Sequence, residues 1–180
     1  MLKLTIDGDE YWDEERQEFI TQERYEISLE HSLVSISRWE SKWHKPFLTR
    51  EPKNYEETID YIKFMTLTDD VDPSIYERLT TKHIQQINAY IEDPMSATTI
   101  RDDSSGPKNR EQITSELVYY WMIALNIPME CQYWHYNRLI KLIEVCNIKN
   151  KPPKKMSARE VMARNAEINA KRKQQFKTNG

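Results

Sequence analysis

The hydrophobic periodicity of this chain changes once, at Glu30, and that change fixes most of what it can fold into. Before it, apolar residues recur at every second position: Leu2, Leu4 and Ile6, then Tyr25, Ile27 and Leu29. A step of two puts side chains on one face of a strand. Tyr11-Trp12 and Phe19-Ile20 flank the charged stretch Asp13–Glu18 as strands flank a hairpin tip, and Asp7-Gly8-Asp9 is a turn signal. Residues 1–29 therefore read as an antiparallel β meander whose inner face is Leu2, Leu4, Ile6, Trp12, Phe19, Tyr25, Ile27 and Leu29.

Beyond Glu30 the step becomes three or four. Leu33, Ile36, Trp39 and Trp43 fall on one helical face, which Pro46 stops. Asn54-x-x-Glu57 is a capping box for a helix through Ile59, Ile62, Phe64 and Met65 that ends near Thr66. Asp72-Pro73 opens a short helix through Ile75, Tyr76 and Leu79, and Thr81 caps another that turns Ile84, Ile87 and Ile91 inward and ends before Pro94. Residues 101–110 form the clearest loop. The stretch Leu117–Leu125 is apolar on nearly every side, which predicts a central helix. Pro128 opens the next helix, with Cys131, His135, Leu139, Leu142 and Cys146 as its stripe. Pro152-Pro153 marks a linker, and Ser157-x-x-Glu160 caps a last helix reaching about Arg172. That helix is thinly apolar and needs the body or a partner to lie on. The fold class expected is mainly α (α+β). It comprises a β meander over 1–29, a helical body over 30–150, and a basic linker and C-terminal helix over 151–180.

Composition removes several function classes. The chain has 180 residues but only 3 Gly, where average usage of roughly 7% would give about 13. Neither a dinucleotide fingerprint nor a Walker A loop can be built without clustered glycines, so no cofactor is expected. No apolar run approaches the roughly 20 residues of a membrane span, and Met1–Asp7 lacks a signal-peptide core. Cys131 and Cys146, placed on one helix, would stand roughly 22 Å apart and could not bridge. Free thiols suit a reducing compartment.

The net charge of −3 hides an asymmetry. Residues 1–30 carry 10 acidic and 3 basic side chains, whereas residues 149–180 carry 10 basic and 2 acidic. A basic tail on an acidic body suits an acidic partner, a nucleic acid, or the chain's own N-terminal region.

The constellations that would carry chemistry are incomplete. Cys131-x-x-x-His135 puts a thiol and an imidazole one helical turn apart, but no second pair completes a zinc site, and His31, His44 and His83 stand alone in the sequence. As a nucleophile and base the same two lack an orienting group and an oxyanion hole. Asp69-Asp70-x-Asp72 begins like a calcium loop, but Ser74 and Thr80 occupy the positions that need glycine and glutamate. Trp39 and Trp43, with Lys42, His44 and Lys45, have the composition of a base-stacking platform, yet a Trp pair at helical spacing more often packs in a core or an interface. The basic tail lacks interleaved aromatics apart from Phe176, which argues against base reading. Surfaces remain, and they point to protein binding.

Several stretches carry a resemblance. They are Leu29-Glu30-His31-Ser32-Leu33, Trp39-Glu40-Ser41-Lys42-Trp43-His44-Lys45-Pro46-Phe47, and Glu57-Thr58-Ile59-Asp60-Tyr61-Ile62. Further along are Thr114-Ser115-Glu116 with Tyr120-Trp121-Met122, Glu130-Cys131-Gln132 with Trp134-His135, Asn137-Arg138-Leu139, Val145-Cys146-Asn147-Ile148-Lys149-Asn150 and Lys154-Lys155-Met156-Ser157. Together they resemble small proteins from the tail-gene region of long-tailed bacteriophages, closest to tail assembly chaperones. The resemblance implies a non-enzymatic protein in the host cytoplasm that coats the helical tape-measure protein and recruits tail-tube subunits. It implies no catalytic residue and no metal. Trp39, Trp43, Tyr119 and Tyr120 are the aromatic anchors expected to bind a partner, since Trp and Tyr dominate binding hot spots. Trp121 and Trp134 are expected in the core. Lys154, Lys155, Arg159, Arg164, Lys171, Arg172 and Lys173 are the expected basic contacts. The rival reading is a structural virion protein, a tail, baseplate or head–tail joining subunit, whose copies would join head to tail through opposite charge. Nucleic acid is the less favoured partner.

Overall fold

The computed structural model describes residues 1–8, 10–21, 23–99, 112–151 and 158–176. The chain divides into two compact units, Met1–Asn147 and Ile148–Gly180. The first begins with four strands: β1 (Leu2–Ile6), β2 (Glu10–Asp13), β3 (Glu18–Thr21) and β4 (Tyr25–Leu29). Helices follow: α1 (Leu33–Trp43), α2 (Tyr55–Met65), α3 (Ser74–Glu77), α4 (Thr81–Glu92), α5 (Ser115–Ala124), a 3-10 helix (Met129–Tyr133) and α6 (Tyr136–Asn150). The second unit contains α7 (Ala158–Phe176), which has no buried residue. The chain is mainly α with antiparallel β structure at its N-terminus, as the change of period predicts.

The strand path differs from a meander. β1 pairs with β4 and β2 pairs with β3. Both ladders keep one register: Ile6 faces Tyr25, and four positions further along each strand Glu10 faces Thr21. The strands thus form a single long hairpin, and Asp7-Gly8 interrupts its ladder without reversing the chain. The reversal lies at the charged tip, where the Asp13 carboxylate accepts from the Glu15 and Arg16 N–H groups at 2.9 and 3.2 Å. The hairpin's two ends differ in burial. Leu4, Ile6, Ile27 and Leu29 are fully buried, but Trp12 is 49% exposed and Phe19 65%, paired edge to face at 5.0 Å. The inner face expected of residues 1–29 therefore ends at Ile6 and Tyr25, because the distal half extends past the helices it would need for cover. Burying four Leu or Ile side chains stabilises by about 6–12 kcal/mol before entropy is counted, so the strands are no separate unit from the helices. The far edge of β4 is also occupied: the Leu67 N–H donates to the Ser28 carbonyl and the Glu30 N–H to that of Met65, both at 2.8 Å. A covered edge is closed to further strands.

Helix starts follow local chemistry. Ser32, Asn54 and Thr80 are N-caps, each in a capping box with Ser35, Glu57 and His83 respectively. Thr80 holds the place expected of Thr81. α1 ends on His44 in the left-handed region (φ 52°), two residues before Pro46.

Two helical expectations need correction. α5 is not central. It buries Ser115, Val118 and Met122 but leaves Tyr120 64% and Ile123 67% exposed. The helix expected from Pro128 to Cys146 is broken: Cys131 lies in the 3-10 turn, Trp134 is extended, and α6 starts only at Tyr136. The break has a tertiary cause. His135 bridges to Ser32, and the Tyr136 N–H donates to the His31 carbonyl at 2.7 Å, so this segment serves the strand-to-α1 junction. Cys131 and His135 are therefore not one helical turn apart. Both cysteines are free. Residues 101–110 and the Ser157 cap lie outside the described residues.

Candidate partner-binding face

The α1 stripe ends in an aromatic stack. Trp39 is buried, its ring 5.2 Å from Phe47 edge to face and 6.3 Å from Trp43 in a stacked arrangement. Its Nε1–H donates to the Glu57 carbonyl at 2.8 Å, fastening α1 to α2. Cations cover the stack: Lys53 Nζ lies 3.9 Å from the Phe47 centroid and 5.3 Å from that of Trp39, while Lys42 and Lys45 flank Trp43 at 5.7 and 6.0 Å. Burial holds the Lys53 ammonium below the usual lysine range, against the opposing pull of Glu57. The Glu57 carboxyl is held low by its hydrogen bond from Lys45 at 2.7 Å and by the Asn54 N–H at 3.0 Å.

Beside this stack opens a cavity of about 740 Å³, walled by Pro46, Leu48, Pro52 and Ile113 and ringed by Lys45, Arg50, Glu51, Lys53 and Glu57. A second, of about 550 Å³, lies between the end of α1 and the start of α5 and includes Ser37, Glu40, Thr114 and Glu116. The two share Lys45 and Pro46, so they border one another as one long groove. One helical turn beyond Glu116, α5 presents Tyr120 and then Ile123 to solvent. The groove thus has an apolar wall at the end beside the stack and polar and charged sides along the rest, with an exposed aromatic beyond it. Among the described residues neither cavity is lined by a cysteine, and the one lining histidine, His44, ends α1.

The wall between α1 and α5 is set by Glu40. Its buried carboxylate accepts from the Phe47 N–H and from the Ser115 N–H, each at 2.8 Å. The second bond supplies an orphan donor at the start of α5 with an acceptor, where negative charge is favourable.

The expected anchors divide. Trp39 belongs to the core. Trp43 is half-buried, with a buried Nε1 that has no partner among the described residues. Tyr119 is half-buried and donates to Gln132 at 2.9 Å, joining α5 to the 3-10 helix. Tyr120 alone has the exposure an anchor needs. Trp121 and Trp134, expected in the core, are partly buried and pack against it; Arg138 covers the Trp134 ring at 4.3 Å. Arg159, Arg164, Lys171, Arg172 and Lys173 lie on α7, where Lys171 pairs with Glu167 at 2.6 Å. Lys154 and Lys155 lie outside the described residues.

Sequence reasoning missed a buried pair of imidazoles. His31 and His135 stand edge to face at 5.1 Å, among Tyr61, Tyr90 and Tyr136. His135 Nδ1 accepts from the Asn137 N–H at 3.3 Å and Nε2 bonds the Tyr90 carbonyl at 3.0 Å, which assigns the neutral ring with its hydrogen on Nε2. His31 Nδ1 meets the Tyr61 hydroxyl at 2.5 Å. Burial, then His135, then Lys53 lower the His31 pKa to about 3. His135 is lowered mainly by burial, and burial raises the Cys131 thiol. The pair holds the strand-to-α1 junction against α6. No sequence spacing marks it, since 104 positions separate the two residues.

Among the described residues there is no group of three or more His, Cys, Asp or Glu able to hold a metal, and no helix long and apolar enough to cross a membrane. No family model, curated protein or solved structure matches the chain.

Proposed function

We propose that this chain is a bacteriophage tail assembly chaperone, a non-enzymatic protein that binds the helical tape-measure protein and tail-tube subunits in the host cytoplasm. The observation that carries the reading is the long groove from the Trp39–Phe47 stack to the start of α5, continued by exposed Tyr120 and Ile123. A groove with an apolar wall at one end, charged side chains along it and an exposed aromatic beyond suits an amphipathic helix, and the sequence resemblance names a partner of that form. Quantitative mass spectrometry of purified virions and infected lysate tests it. Abundance in lysate with absence from virions is the expected result.

A fixed stoichiometry in virions would instead favour a structural tail, baseplate or joining subunit. The opposite charges of residues 1–30 and 149–180 support that second reading. In the chaperone reading, Tyr120→Asp removes co-purification with the tape-measure protein while leaving the fold intact. Unchanged capture by that variant would move the binding face elsewhere.

A further inference from the structure

A third cavity, of about 570 Å³, lies between the hairpin base and the start of α4, away from the groove described above. Its size is that of a small-molecule site. Four cationic side chains from separate parts of the chain line it: Lys3, Arg24, Arg78 and Lys82. Asp7 is the single acid among its described lining residues, and Arg24 already holds that carboxylate at 3.4 Å.

The donors exceed the acceptors. Arg78 spends Nη2 on the backbone carbonyls of Asp7 and Glu23, which leaves its buried Nε without a partner among the described residues. Lys82 makes no ion pair or hydrogen bond among the described residues. His83 Nδ1 accepts from the Thr80 N–H at 3.1 Å, so the neutral ring carries its hydrogen on Nε2, a free donor. Thr80 Oγ1 accepts from the His83 N–H at 3.4 Å and keeps its own hydrogen to give. Lys3 is partly neutralised by Glu26 at 3.2 Å. What remains is an ammonium, an imidazole N–H and a hydroxyl around one space beside two guanidinium groups, with the Gln86 amide and the Thr5 hydroxyl as neutral neighbours and one carboxylate, Asp7, against four cations.

We propose that this cavity binds a small phosphate-bearing ligand. A phosphate is acceptor-only and doubly charged near neutral pH, so it supplies what this donor set lacks. A neutral ligand would leave the charge unmet, and a cationic one would be repelled. The inference is independent of the groove and of the chaperone reading.

Calorimetric titration of the full chain with sodium pyrophosphate, with chloride holding ionic strength constant, is the test. Saturable binding at one site per chain is expected. Lys82→Gln should weaken it about tenfold, the usual worth of one charge-assisted hydrogen bond. Lys82 is exposed, so its loss leaves the fold intact, and circular dichroism verifies this. Lys149→Gln, on α6, should leave affinity unchanged. Equal weakening by both variants would mean diffuse charge attraction and overturn the proposal, as would the absence of saturable heat. Inorganic phosphate and ribose 5-phosphate then distinguish sources. Tighter binding of the sugar phosphate assigns an organic ligand, and equal binding assigns the free anion.

Discussion

Glu40 offers the sharpest test of how the groove is built. Its two carboxylate oxygens each take one buried backbone N–H, from Phe47 and from Ser115, at 2.8 Å. Glu40→Ala removes both acceptors. An unsatisfied buried donor costs about 1–3 kcal/mol, and water entering the vacated space recovers part of that, which gives a loss of about 3 kcal/mol. Glu40→Gln keeps one oxygen but turns an NH₂ group toward the other N–H, so about 2 kcal/mol is lost with almost no change in volume. In a domain near 150 residues each kcal/mol moves the melting midpoint by about 2–4 °C, or about 6–12 °C for the alanine variant. Urea unfolding followed by tryptophan fluorescence measures both, because Trp39 precedes Glu40 directly and Trp43 lies about one turn beyond it on α1. If both variants stay within about 0.5 kcal/mol of the parent, the carboxylate does not hold α5 in place and the account of the groove wall fails.

Two further outcomes follow from the same geometry. Trp39→Ala should destabilise by about 3–5 kcal/mol, as large-to-small core changes do, whereas Tyr120→Ala should stay within about 0.5 kcal/mol; thermal melts of the pair separate a core aromatic from a surface one. His31 is neutral when folded, with its pKa lowered to about 3, while the unfolded imidazole takes a proton below about 6.5, so stability falls as pH drops through that window. Between pH 7 and pH 5 the loss from this residue is about 2 kcal/mol, and a His31→Asn variant whose urea midpoint falls as steeply as the parent's would refute it.

The particular elements show where sequence reading reaches. The capping boxes at Asn54 and the α1 stripe are legible because both ends of each signal lie within one helical turn, where backbone geometry alone brings them together. The hairpin tip at Asp13–Glu18 is legible for the same reason. The candidate groove was half legible: Trp39 lines it and Trp43 stacks on Trp39, but nothing in their spacing says that one is core and the other half-exposed. Tyr120 shares an all-apolar stretch with Val118 and Met122, and only the position of α1 decides which face of α5 is covered.

By itself, then, the sequence determined the change from strand to helix at Glu30, the start of α2 at its Asn54 capping box, and the absence of glycine-built nucleotide loops. Each depends on residues within a few positions of one another. Tertiary structure alone decided that β1 pairs with β4, that Glu40 supplies an acceptor to a helix 75 residues away, that His31 meets His135, and that this junction splits the helix expected from Pro128. Those contacts join groups far apart in the chain. Their strength comes from satisfying buried polar atoms that no local pattern pairs in advance.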